Sequence, residues 1–158
     1  MRTLVVYYSR DGTTRKVGES IAAKLKCDIE EIVDLKKRSG ILGYLFAGMD
    51  AGMKRMTKIK DAIKDPSGYD LVIVGTPVWA VTVTPAVRTY LAQNKDKLRK
   101  VAFYCTYGGR GNRNSFREME SICGKRPAAT AEVNTTEVKL KLFDEKVGNF
   151  AKALSKND

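Results

Sequence analysis

The chain has 158 residues, three Cys, no His and a net charge of +11 at neutral pH. This length suits one domain, able to bury ~68–70% of its unfolded surface without cross-links. The missing His argues against zinc centres and Ser-His or Cys-His catalytic pairs, and the odd Cys count without a C-x-x-C pair argues against a disulfide framework. The N-terminus lacks a signal-peptide pattern, and no stretch reaches the ~18 apolar residues of a membrane span, so a cytoplasmic protein is expected.

Apolar runs and helical periods alternate along the sequence. The first run, residues 4–8, is Leu-Val-Val-Tyr-Tyr. Val17, Ile21 and Leu25 then recur at i, i+4 and i+8, which predicts a helix. Residues 29–33 alternate apolar and acidic, the pattern of an edge strand. Residues 40–56, GILGYLFAGMDAGMKRM, place Ile41, Leu45, Met49, Met53 and Met56 on one helical face. The expectation here is a crossover helix packed on the sheet. The alternative is an exposed apolar and basic surface for a homodimer mate, a partner or a membrane.

Buried strands are predicted at 71–74 and 101–105, and a weaker one at 128–133. Thr84-Pro85 offers an N-cap followed by a first-turn Pro. Ser115-x-x-Glu118 reads as a capping box for the next helix. Phe143, Val147, Phe150, Ala151 and Leu154 mark the last helix. Five strands alternating with helices imply an α/β protein with a parallel sheet covered on both faces. Right-handed crossovers then gather the C-terminal ends of the strands on one rim, where open α/β sheets bind ligands.

The loops expected on that rim are unusually rich. After the first strand come Ser9, Arg10, Asp11, Gly12, Thr13 and Thr14, leading straight into a helix. The unpaired N–H groups of a helix start, with the helix dipole, make an anion site. Gly12 permits close backbone approach, and the hydroxyls add donors. The loop reads as a cradle for a phosphate monoester, and it is not a Walker A sequence. After the third strand come Thr76, Pro77, Val78, Trp79 and Ala80, which include the sole Trp. After the fourth come Thr106, Tyr107, Gly108, Gly109, Arg110 and Gly111. Two aromatics beside a phosphate site suggest a ligand with a phosphate and a flat ring.

In order and context these three loops resemble those of the flavodoxins and their flavodoxin-like relatives, across nearly the whole chain. The resemblance implies a flavodoxin-like three-layer α/β sandwich, with a five-stranded parallel sheet in the order 2-1-3-4-5. It implies the short-chain form, with non-covalent FMN as cofactor. The FMN phosphate is then expected on Ser9, Asp11, Gly12, Thr13 and Thr14. Arg10 is expected either at the phosphate or in solvent. The ring is expected between residues 76–80 (Thr76 to Ala80) and 106–111 (Thr106, Tyr107, Gly108, Gly109 and Gly111), flanked by Trp79 or Tyr107. No catalytic acid or base and no metal is implied.

The function expected from this resemblance is electron transfer through FMN, in which the flavin does the chemistry and the protein binds and tunes it. The alternative is an FMN-dependent NAD(P)H:quinone or flavin oxidoreductase, with Arg110, Arg113 and Arg117 toward an anionic substrate. Flavodoxins of the carrier type are usually acidic. The positive charge here predicts other redox partners, acidic ones among them, and a fully reduced flavin that is less disfavoured. Residues 36–60 carry seven Lys or Arg against the single acid Asp50. A solvated basic surface or a nucleic-acid contact are the other readings of that charge, but no nucleic-acid motif accompanies it. A cysteine phosphatase is disfavoured, because Cys105 and Arg110 give C-x4-R where low-molecular-weight phosphatases carry C-x5-R.

Overall fold

The computed structural model describes residues 1–156. The chain runs β1 (Thr3–Tyr7), α1 (Thr13–Leu25), β2 (Asp28–Glu31), α2 (Gly40–Gly52), β3 (Leu71–Trp79), β4 (Thr82–Val83), α3 (Pro85–Asn94), β5 (Lys100–Tyr107), α4 (Asn112–Cys123), β6 (Thr130–Asn134), α5 (Thr135–Lys139) and α6 (Asp144–Ser155). The sheet order is β2-β1-β3-β5-β6, all parallel, and the two-residue β4 folds back antiparallel on the end of β3. Counting parallel strands alone, this is the expected order 2-1-3-4-5, with β2 at an edge.

Side chains alternate across each strand. Leu4, Val6, Val72, Val74 and Phe103 point to one face and pack with Val87, Leu91 and Met119 of α3 and α4. Val5, Tyr7, Ile73, Ala102 and Tyr104 point to the other and pack with Val17, Ile21, Val147, Phe150 and Leu154 of α1 and α6. Burial on both faces explains the near-continuous apolar strands.

Three expectations need correction. The first concerns residues 40–56, whose helix α2 does not pack its apolar face on the sheet. Only Ala47, Asp50 and Ala51 are buried, and Ile41, Leu45, Met49, Met53 and Met56 are all exposed. The two sheet faces are already covered by the other helices, so α2 sits at the rim. Secondly, Ser115 and Glu118 form no capping box. The helix α4 starts four residues earlier, after Gly111 at φ 104°, and the Ser115 hydroxyl donates to the Gly111 carbonyl at 2.9 Å. Glu118 instead pairs with Arg88 and accepts from the Thr82 hydroxyl. Thirdly, β3 runs five residues past its expected end, because its tail becomes one arm of the β3–β4 hairpin. The short helix α5 had no periodic signal. It is held by a true capping box, in which Asn134 accepts from the Thr136 N–H and Glu137 accepts from the Asn134 N–H.

Candidate functional site

The rim loops are positioned by a buried wedge. Tyr104 of β5 stands against Gly75 and Gly18, and a Cβ on Gly75 would come within 2.0 Å of its ring. Its hydroxyl donates to the Thr14 carbonyl at 3.3 Å, and the Thr14 and Thr106 hydroxyls lie 2.7 Å apart. The two glycines thus let one large side chain bolt the start of α1 to the centre of the sheet. Burial drives the Tyr104 phenol well above its ordinary value, so it stays protonated as a donor.

At the β1–α1 turn, Gly12 adopts φ 89°, with open space where a Cβ would stand. The first intrahelical bond runs from the Lys16 N–H to the Gly12 carbonyl at 3.1 Å, so the N–H groups before Lys16 face the turn. The Ser9 hydroxyl accepts from the Gly12 N–H at 3.1 Å and the Arg15 N–H at 3.3 Å, and Asp11 accepts from the Thr13 N–H at 3.0 Å. Burial works to raise the Asp11 carboxyl, but hydrogen bonds from Thr13 outweigh it and leave it below its usual range. An acceptor oxygen therefore already occupies the place where an anion's oxygens would be received. The donor set suits a phosphate, which would replace the Asp11 carboxylate at the helix start.

Several expected ligand contacts are otherwise employed. Thr76 and Thr106 are buried, and their hydroxyls pair with Thr84 and Thr14. Those bonds tie the loops to one another. The Thr14 hydroxyl is the partner of Thr106 in that pair. Arg10 points neither to the cradle nor simply to solvent. Its Nε donates to the Arg38 carbonyl at 3.0 Å and its guanidinium lies 5.0 Å from the Tyr44 ring centroid. Arg15 makes a forked pair with Glu31 on the surface, at 2.8 and 2.6 Å. Arg110, Arg113 and Arg117 are exposed.

The aromatic loop has an unusual backbone. Ala80 and Val81 have φ 47° and 66°, and they join the β3–β4 hairpin as a two-residue turn. Positive φ at both central residues is what a type I′ turn needs, normally met by Asn-Gly. A β-branched residue at φ 66° is an outlier that the surroundings must hold. Gly111 does part of this, since a Cβ there would come within 2.6 Å of the Val81 Cα. The loops 76–81 and 106–111 therefore close on one another at that point. The room lies on the other side of the turn. A cavity of about 280 Å³ is lined by Val78, Trp79 and Ala80 on one wall and by Tyr44, Ala47 and Gly48 of α2 on the other, with Arg10 between. Trp79 stands edge-on to Tyr8, with ring centroids 5.5 Å apart. Tyr107 is half-buried and Gly108 and Gly109 are exposed, at the far side of Gly111.

Beyond Arg10 lies a second cavity, of about 480 Å³, lined by Ser9, Arg10, Glu31, Asp34, Lys36, Lys37 and Arg38 among others. Its floor is an ion-pair network that sequence reading missed. Arg38 is 6% exposed and donates to Asp34 at 2.6 Å and to Asp50 at 3.0 Å. Lys36 and Arg55 also reach Asp50, at 2.6 and 3.4 Å. The Arg38 guanidinium lies 5.9 Å from the Trp79 ring. Burial works to raise the Asp50 carboxyl, and hydrogen bonds from Lys36 and Arg38 overcome it, so it stays ionised. A run of charges in sequence gives no sign of which cation is buried.

The carboxylates that line the larger cavity are paired, Glu31 with Arg15 and Asp34 with Arg38. Burial pushes the Cys105 thiol up to about 12 and the Tyr8 phenol up to about 12, so both stay protonated. That removes the thiolate a cysteine phosphatase needs. No group of three or more His, Cys, Asp or Glu is arranged to hold a metal among the described residues. None of their helices is long and apolar enough to cross a membrane.

No known protein-family model matches the chain, and no curated protein matches it. Solved structures do. A flavoprotein from Lactobacillus acidophilus NCFM, in complex with FMN, is 24% identical with a TM-score of 0.73, over 88% of this chain and 97% of that one. A flavoprotein of Bacteroides eggerthii is 20% identical with a TM-score of 0.73, over 92% and 97%. The two-electron reduced flavodoxin of Megasphaera elsdenii is 18% identical with a TM-score of 0.62, over 98% of both chains. At these identities the likeness is one of fold.

Proposed function

We propose that this chain, which has the flavodoxin-like fold, binds FMN non-covalently and transfers electrons through it. The observation that carries the reading is the juxtaposition on one rim of a donor-rich helix start at Ser9–Thr14 and an aromatic slot at Trp79. Ser9, Gly12, Thr13 and the Thr14 N–H would hold the phosphate, with Asp11 giving way. Val78, Trp79 and Ala80 would form a wall for the ring. Tyr107, Gly108, Gly109 and Gly111 would support the turn from behind. The flavin supplies the redox chemistry. The chain's own part is to hold the phosphate, exclude water from the ring and set the charge around it. Arg10 puts positive charge beside the slot, so a negative, fully reduced ring would be less disfavoured there. The purified protein is expected to be yellow and to release FMN on acid treatment. A colourless protein that takes up no added FMN would end this reading.

A second reading has one specific observation in its favour. The 480 Å³ cavity, where Arg10, Lys36, Lys37 and Arg38 outnumber Glu31 and Asp34 in the lining, suits an anionic co-substrate beside the slot. An FMN-dependent NAD(P)H:quinone or flavin oxidoreductase would use it for the dinucleotide. Steady NAD(P)H oxidation with a quinone by the FMN-loaded protein separates this from a carrier, which would show none.

A further inference from the structure

Helix α2 carries almost no polar side chain where it faces outward. From Gly40 to Met49 the sequence is GILGYLFAGM, with the Tyr44 hydroxyl as the one polar side-chain group. Ile41 is 83% exposed, Leu42 70% and Leu45 61%, and Phe46 and Met49 are also exposed. Leu35, Met53 and Met56 continue the surface on either side. A helix apolar nearly all round belongs in a core or against lipid, and this one lies in neither core. Its rim is cationic. Lys37, Lys54, Lys58 and Lys60 are exposed, while Asp50, the only acid in residues 36–60, is buried under Lys36, Arg38 and Arg55.

We propose that α2 lies flat in the headgroup boundary of an anionic lipid bilayer. Its apolar side chains would enter the acyl edge and the flanking lysines would meet lipid phosphates. At 13 residues the helix is ~20 Å long, which is short of a span but ample for an interfacial helix. Charge argues against a second copy on this face, since a two-fold contact would bring the exposed Lys37, Lys58 and Lys60 of both copies together. Chemistry argues against an acidic protein. A specific protein interface makes about one hydrogen bond per 100–200 Å², and ten residues with a single hydroxyl offer too few donors and acceptors. The slot beside Trp79 has α2 as a wall, so a bilayer-bound protein would hold that slot at the membrane surface. The proposal does not depend on FMN, and its test needs none.

The test is co-sedimentation of the purified full chain with vesicles of phosphatidylcholine alone or with a third phosphatidylglycerol. Leu42→Glu with Leu45→Glu breaks the apolar face, and Lys58→Glu with Lys60→Glu breaks the rim. All four side chains are exposed, so the circular dichroism and melting curve should stay as in the parent. The expected result is binding to anionic vesicles, at least tenfold weaker for either double variant and for neutral vesicles. No binding to anionic vesicles overturns the proposal, as does binding that both double variants retain. A concentration-dependent dimer abolished by Leu42→Glu with Leu45→Glu, without vesicle binding, would assign the face to a second copy instead. Retention on immobilised polyglutamate, again without vesicle binding, would assign it to an acidic protein.

Discussion

Two corners of the rim are built on opposite principles. The corner at α1 and β5 is uncharged inside. It is held by a tyrosine wedged between glycines and by paired threonine hydroxyls, all continuous with the core. The corner at α2 is a charged floor under an apolar roof, and Asp50 joins Lys36, Arg38 and Arg55 beneath a helix whose apolar residues face outward. Packing resists deformation, whereas a buried ion network depends on every partner being present. The first corner therefore suits a fixed phosphate cradle, and the second can respond to what docks on it.

That contrast can be broken by substitution. Asp50→Ala strips the Arg38 guanidinium of one of its two carboxylates and should cost about 3–5 kcal/mol, read by denaturant unfolding. Cooperative unfolding with the parent's midpoint would show that the network contributes nothing. Gly75→Ala forces a methyl into the Tyr104 ring and should cost about 1–3 kcal/mol, with FMN affinity falling as the α1 corner shifts. Val81→Gly should act in the other direction. It removes a half-exposed β-branched residue from φ 66° and should stabilise by about 1 kcal/mol, seen as a higher Tm.

Acid gives the smallest and most local effect. The folded Asp50 carboxyl titrates below its ordinary value of 3.8, so its stabilisation is complete above that pH and is lost as pH falls through the folded value. Between pH 4 and 3 only part of the loss should develop, and the α2 corner should loosen before the α1 corner. Trp79 is the sole Trp and lies against Arg38, so its fluorescence should change ahead of far-ultraviolet circular dichroism. Coincident changes would mean that the corners are equally robust.

The parts of this molecule set by periodicity were legible in the sequence. Runs such as Leu4-Val5-Val6 and the Val17, Ile21, Leu25 spacing fix which residues enter the two cores, whereas the sheet order came only from the resemblance of the rim loops to those of flavodoxins. The donor-rich turn at Ser9–Thr14 was legible as a helix start for the same reason. Three features were not. The α2 apolar face was expected inward, because apolar residues usually are buried, and only the occupied sheet faces show that it has nowhere to go. The Ala80-Val81 turn has no turn signature, since tertiary contact with Gly111 imposes its backbone. Arg38 looks like any surface cation until Asp34 and Asp50 are brought around it.

The central claim is that the turn at Ser9–Thr14 holds a phosphate joined to a flat ring. Titrating the flavin-free protein with FMN and with riboflavin, followed by quenching of flavin fluorescence, tests it directly. Two charge-assisted hydrogen bonds to the phosphate should make FMN bind at least ~100-fold more tightly than riboflavin, about 2.7 kcal/mol. Equal affinity for the two, or tighter binding of riboflavin, would contradict the account.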